Sequence, residues 1–266
     1  MSAEVVERVL RSSRYRDVDR ALLARLADEE LPRARNVDDA VKRVKRRLHQ
    51  AVGAFRGARA NAAIAGAWKG DLADPALREA CAEAMRTHAS TRERLAHLEA
   101  FYPRIWQHTG VPRQLIDLGC GLNPLALPWM GIAGAMYLAI DADQRPLATV
   151  RDFLELVGQP HRVEARDLVG SPPDDVADVA LLLKLVTTLD RQDGEAAARL
   201  LRGLRVGHAV VSFPGRSLAG RGKGMERRYR ERLEQLVEEV GRVTELTEAS
   251  VPNELVFVLR LGPIGG

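Results

Sequence analysis

From Gln114 onward the sequence alternates between short apolar runs and amphipathic stretches of helical length, and this rhythm restricts the possible folds more than any other feature. "QLIDLGC", "MYLAIDAD", "HRVEARDL", "DVALLLKLV" and "HAVVSFP" have the length and bounding residues of strands. Between them, "QRPLATVRDFLELV" and "GEAAARLLRGLRV" repeat apolar residues at helical spacing. Strands that alternate with helices in this way build a largely parallel, doubly wound α/β sheet, because a parallel neighbour is reached only through a crossover. A last helix, "MERRYRERLEQLVEEV", precedes two adjacent strand candidates, "RVTELTEA" and "NELVFVLRL". The sheet is therefore expected to end in a strand pair.

The part before Gln114 reads as helices. Asn36 is a candidate N-cap with Asp39 three residues on, and Val41, Val44, Leu48 and Val52 then share one helical face. Lys42, Arg43, Lys45, Arg46 and Arg47 occupy the opposite surface. Val18, Leu22, Leu23 and Leu26 make an earlier stripe that Pro32 ends, and Asp74-Pro75 opens a helix toward Thr87. Ser90-Thr91-Arg92-Glu93 has the form of a capping box for a further helix, which Pro103 should kink or stop. The division expected is a helical domain over residues 1–108 and an α/β domain over 109–266.

The charge follows the same division. Residues 1–110 hold 21 Lys and Arg against 15 Asp and Glu, while the remainder holds 19 against 21, giving +4 overall. A basic helical half suits binding of a polyanion, although an Arg- and Ala-rich genome would leave the same signature. The 46% hydrophobic content argues for a folded chain. No window approaches a membrane span, and "MSAEVVERVLRSSRYRD" carries charges where a signal peptide needs an apolar core. Two cysteines in unrelated contexts, Cys81 and Cys120, support neither a disulfide framework nor a zinc site. A cytoplasmic protein without a metal is expected.

Ligands of open α/β sheets sit outside the carboxyl ends of the strands. There Gly119 and Gly121 would let the backbone approach a nucleoside. Asp141 ends the next strand, where a carboxylate can accept from both ribose hydroxyls, and Asp167-Leu168 ends the third, placed for an adenine amino group and ring face. These three strand ends in order form the pattern of an S-adenosylmethionine site. Leu122-Asn123-Pro124 stands where a dinucleotide fingerprint has its third glycine, which counts against a bound pyrophosphate. A Rossmann-like domain for another nucleotide, or for none, is the plainer alternative.

The whole turn, "GCGLNPLALP", resembles the motif of the 16S ribosomal RNA guanine-1405 N7 methyltransferases that give aminoglycoside resistance. "KRRLHQAVGAF", "HASTRERL", "DAD", "RDL", "LLLK" and "VSFPGRSLAGRGKGM" agree with that family in order, so the resemblance covers about residues 35–260. It departs after the fourth strand, where "LVTTLDRQ", with Thr187 and Thr188, replaces a proline- and cysteine-containing stretch. The resemblance implies a Rossmann-like class I methyltransferase sheet, a helical N-terminal RNA-binding domain, S-adenosylmethionine as cofactor and 16S rRNA of the assembled 30S subunit as partner.

It also implies roles. Arg92 resembles the guanidinium that clamps the cofactor's carboxylate, with His88 and Thr91 assisting; a surface arginine and a structural histidine are the bland alternatives. Lys184 borders the active site by resemblance, or else reaches solvent from a strand end. The loop "FPGRSLAGRGKGM" brings Arg216, Arg221 and Lys223 to the RNA beside Phe213, unless it is a solvated connection. Trp129 is a candidate for the mouth of the site, although core packing is the commoner use of a tryptophan, and Phe101, Tyr102 and Trp106 are candidates for the seal between domains. Because guanine N7 carries an unprotonated lone pair, no catalytic acid or base is expected. A small-molecule methyltransferase and a non-catalytic ribosome-maturation factor are the competing readings.

Overall fold

The computed structural model describes residues 1–51, 58–215 and 222–264. Helices α1 (Ser2–Leu10), α2 (Arg20–Glu30) and α3 (Val37–Ala51) come first, followed by α4 (Ala58–Ala67), α5 (Pro75–Arg86), α6 (Ala89–Arg92) and α7 (Leu98–Thr109). Then β1 (Gln114–Leu118), α8 (Leu127–Met130), β2 (Met136–Asp141), α9 (Gln144–Leu156), β3 (His161–Ala165) and β4 (Val176–Leu183) follow, β3 passing to β4 through a loop. The chain closes with α10 (Val186–Gln192), α11 (Ala196–Gly203), β5 (Arg205–Pro214), α12 (Gly222–Val240), β6 (Val243–Ala249) and β7 (Glu254–Leu261). One seven-stranded sheet results, in the order β3-β2-β1-β4-β5-β7-β6. β1 to β5 are parallel, and β7 pairs antiparallel to both β5 and β6.

Side-chain alternation divides the core between the two faces of this sheet. Leu115, Tyr137, Val179, Leu181 and Val256 pack on one face with residues of α5, α7 and α9. Ile116, Leu138, Ala180, Val211 and Phe257 pack on the other with α10, α11 and α12. A third cluster is centred on α1–α3 and holds Val5, Leu22, Leu26, Val44 and Leu48, with Ala142 after β2 packed against it. Core packing therefore groups α4–α7 with the sheet, and the basic helices α1–α3 make a separate unit. Phe101, Tyr102 and Trp106 lie in the sheet-face core, where the Trp106 indole donates to the Met130 carbonyl at 2.7 Å.

The predicted caps divide into two outcomes. Asn36 Oδ1 accepts the Asp39 N–H at 2.9 Å, and Asp74 Oδ1 accepts the Ala76 N–H at 2.7 Å with Pro75 behind it. Ser90 and Thr91 cap no helix. His88 precedes the single turn of α6, a 3₁₀ turn follows at Leu95–His97, and α7 starts afresh at Leu98. The Thr91 hydroxyl is directed backward instead, donating to the carbonyl of Met85 at 2.7 Å. Pro103 does not stop α7, which continues to Thr109. Val52 lies outside the described residues. Among the described residues no helix is long and apolar enough to cross a membrane.

Candidate functional site

A cleft of about 470 Å³ opens at the carboxyl ends of β1, β2, β3 and β4. It brings together His88, Arg92, Gly119, Asp141, Asp167, Leu168 and Lys184, all singled out from sequence, and Thr188, to which the sequence assigned no role. This volume is in the range of a small-molecule site, where a few polar groups converge on apolar walls.

The glycine turn shapes the cleft in a way the sequence did not reveal. Gly119 has φ +63°, and a Cβ there would lie 2.7 Å from Leu185 Cδ1. Gly121 has φ +51°, and its Cβ would lie 2.9 Å from the His88 ring. Both positions adopt a left-handed backbone that favours glycine, and a Cβ at either would displace these neighbouring side chains. The Gly121 N–H donates to Asp141 Oδ2 at 2.8 Å, and the Asp143 N–H to Asp141 Oδ1 at 2.9 Å. Burial pushes the Asp141 carboxyl above the ordinary range, against these backbone donors. Each Asp141 oxygen keeps acceptor capacity for a ligand hydroxyl.

Beneath the turn lies a buried polar network centred on Asn123. Its Oδ1 accepts from Arg94 Nη1 and from the Tyr102 hydroxyl, each at 2.8 Å, and its Nδ2 donates to Asp117 Oδ2 at 2.9 Å. The Tyr137 hydroxyl donates to the same Asp117 oxygen at 2.7 Å. Arg94 in turn holds Glu254 at 2.7 and 3.2 Å. Asn123 therefore ties the turn to the α6–α7 segment and, through Arg94, to β7. Sequence reading missed this network because its members are up to 160 residues apart.

The two arginines of "TRER" serve opposite ends. Arg92 is exposed on the cleft rim and pairs with no acid among the described residues, whereas Arg94 is buried in the network. Thr91 is buried behind the cleft and holds Met85 and His88, so its place is structural. His88 lines the wall, its Nδ1 2.9 Å from the Ser90 hydroxyl, and burial holds its ring below the ordinary histidine range.

Lys184 turns inward, its side chain only 9% exposed. Its Nζ donates to Glu93 Oε2 at 2.6 Å and to the Ser90 carbonyl at 3.1 Å, with Glu254 at 3.6 Å. Its φ of +59° is costly for a side-chain-bearing residue. Backbone bonds to the carbonyl and hydroxyl of Ser212, both 3.1 Å, over-determine the conformation.

Asp167 is buried at the cleft and already held. Arg25 of α2 grips it through Nε to Oδ2 at 2.5 Å and Nη2 to Oδ1 at 3.0 Å, and the Val169 N–H donates to Oδ1 at 3.1 Å. Arg25 and Leu22, both on α2, were missed as site residues, and nothing local in a helix of the basic half marks them. Trp129 is away from the cleft and packs against the sheet-face core, the plainer of its two readings, donating to Glu99 Oε1 at 3.0 Å. One other expectation is corrected. Phe213 is buried in the sheet core and stacks on Tyr229 at 5.1 Å, so it is a core residue and not part of an RNA-facing surface. Arg216 and Arg221 lie outside the described residues, as does the side chain of Lys223.

In the basic helix the five cations also divide. Lys42, Lys45 and Arg46 make no ion pair among the described residues, and Arg43 pairs with Asp39 at 3.3 Å and Glu30 at 3.5 Å. Arg47 turns inward, bonding Glu29, Glu30 and the Gln192 carbonyl, the last at 2.6 Å. It is a strut between α3 and α10, not a surface cation.

Strand order, the antiparallel β7 and a cleft set by carboxylates at successive strand ends define a Rossmann-like class I methyltransferase dependent on S-adenosylmethionine. A solved relative, the 16S rRNA methyltransferase RmtF in complex with S-adenosyl-L-homocysteine, superposes with a TM-score of 0.81 at 34% identity, covering 98% of each chain. The 16S rRNA (guanine(1405)-N(7))-methyltransferase of Micromonospora echinospora is 38% identical over 97% of this chain and 96% of that protein. Its counterpart in Frankia casuarinae is 40% identical over 96% of this chain and 92% of that protein. A family model described as ribosomal RNA methyltransferase (FmrO) matches residues 11–258, and the chain belongs to that family.

Proposed function

We propose that the chain transfers a methyl group from S-adenosylmethionine to N7 of guanine 1405 in 16S rRNA, within the 30S subunit and in the cytoplasm. The observation that carries this reading is the cleft itself, where Asp141, Asp167 and Arg92, which pairs with no acid among the described residues, converge beside a basic helical unit. The names of the relatives support the same target.

Asp141 would hold the ribose hydroxyls with its remaining lone pairs, and Asp167 with Leu168 the adenine. Arg92 would clamp the carboxylate, for which its planar fork suits a bidentate contact. The bound cofactor supplies an electrophilic methyl on a sulfonium. The protein's own contribution is position and exclusion of water, since the N7 lone pair needs no base. Lys184 fits that account: bonded to Glu93 and Ser90, it anchors the cleft wall. RNA binding is assigned to the helical part, residues 1–108, and within it to the exposed face of α3 carrying Lys42, Arg43, Lys45 and Arg46. Arg216, Arg221 and Lys223 extend this assignment by sequence alone.

Methylation at N7 removes an acceptor on the major-groove edge and leaves a fixed positive charge. A polycationic drug reading that edge loses a charge-assisted hydrogen bond and gains a like charge, a swing on the order of several kcal/mol. Expression in a sensitive bacterium is therefore expected to raise resistance strongly to kanamycin- and gentamicin-type drugs and little to apramycin. Apramycin resistance with gentamicin sensitivity would refute the N7 assignment. Unchanged sensitivity to all of them, despite soluble cofactor-binding protein, would favour a small-molecule substrate.

A further inference from the structure

The α1–α3 unit borders the cleft through Leu22, and contacts on both flanks hold it there. On the Asp141 flank the Asp19 N–H donates to the Ala142 carbonyl at 2.8 Å and the Gln144 N–H to the Asp17 carbonyl at 2.9 Å. On the Asp167 flank Arg25 grips the carboxylate and also donates to Gln192 Oε1 at 2.9 Å. Leu22, one turn before Arg25 on α2, lines the cleft between them. Gly170 keeps the space for the ion pair, since a Cβ there would lie 2.8 Å from Asp167 Oδ2 and 3.4 Å from Arg25 Cδ.

A carboxylate offers about four lone-pair directions. At Asp167, Arg25 Nη2 and the Val169 N–H occupy those of Oδ1, and Arg25 Nε occupies one of Oδ2. Among the described residues one direction is left on Oδ2. We propose that Arg25 is a positioning residue for the nucleoside pocket, presenting that acceptor to the ligand's base and coupling cofactor occupancy to docking of the basic α1–α3 unit. This rests on the cofactor site assigned above. A ligand that engages Asp167 and Leu22 favours the docked arrangement, and by reciprocity a unit held in place on rRNA binds the cofactor more tightly.

Hydrogen exchange with S-adenosylhomocysteine, on the full chain and its R25A and R25K variants, tests the coupling. In the wild type, saturating ligand should slow exchange at residues 141–147 and also across α2 and α3. For R25A, affinity should fall at least about fivefold, and at renewed saturation the slowing should persist at 141–147 but disappear from α2 and α3. R25K keeps the charge without the fork and should fall between, and it carries the comparison if R25A does not fold. Wild-type protection at 141–147 with no response in α2 and α3 would overturn the coupling alone, as would R25A and R25K affinities equal to wild type. No protection at 141–147 in the wild type would overturn the site assignment itself.

Discussion

Arg94 and Glu254, 160 residues apart, form a bidentate ion pair in which both side chains are almost wholly buried. Burial alone would raise the Glu254 carboxyl, yet Arg94 and Lys184 hold it below the ordinary carboxylate range. Ser212 donates to the same group at 2.5 Å, and Arg94 lies over the Phe101 ring at 4.4 Å. The pair thus fixes the segment that carries His88 and Arg92 against the last strand. Replacing Arg94 by Met leaves Glu254 charged without its main partner, and removing one member of a buried pair costs about 3–5 kcal/mol. Urea denaturation of the wild type, R94M, E254Q and the double variant should show large single losses and strong non-additivity. Additive losses near zero would mean that the pair does not organise this region.

Asp117 gives a pH signature. Burial pushes its carboxyl from 3.8 up to about 6, although Asn123, Tyr137 and Arg94 oppose the shift and Asp141 adds to it. A carboxyl raised on folding binds its proton more tightly in the folded chain, so stability falls as pH rises from the unfolded value to the folded one. The loss is on the order of 2–3 kcal/mol, complete above about pH 6. Denaturation midpoints measured from about pH 4.5 to about pH 7 should therefore decline in the wild type, and D117N should flatten that decline. An equal slope in D117N would assign the dependence to another group.

The division of the cations on α3 predicts two phenotypes. Charge reversal at Lys42, Lys45 and Arg46 should weaken 30S binding and leave affinity for S-adenosylhomocysteine intact. Each lost phosphate contact should flatten the slope of log affinity against log salt by about 0.7–0.9. Arg47→Ala should instead loosen α3 from α10, because its guanidinium is bonded to Glu29, Glu30 and Gln192. Salt titrations of subunit binding separate the two. A slope unchanged by the triple reversal would make this face a solvated surface only.

These assignments show which parts of the molecule were legible in the residues. The sheet was, since strands such as "QLIDL" and "MYLAID" carry their burial in their own composition and the crossovers follow from parallel pairing. Asp141 and Asp167 were also legible, being carboxylates at strand ends in a fixed order. The functions of Ser90 and Thr91 were not, because the capping pattern cannot reveal that a buried carbonyl of Met85 competes for the threonine hydroxyl. Arg47 appeared equivalent to its neighbours, because helical spacing does not show that Glu29, Glu30 and α10 lie beneath it. Arg25 was invisible for the same reason: its partner is 142 residues away.

The most direct test of the central claim is the position of the methyl group. Assembled 30S particles would be incubated with the purified protein and S-adenosylmethionine, and the 16S rRNA mapped by nuclease fragmentation and mass spectrometry, with borohydride and aniline cleavage to reveal N7-methylguanine. A single added methyl at N7 of guanine 1405, lost in the Asp141→Ala variant, is the predicted result. A methyl on a neighbouring adenine, or none on 16S rRNA while the wild-type protein binds the cofactor, would contradict it.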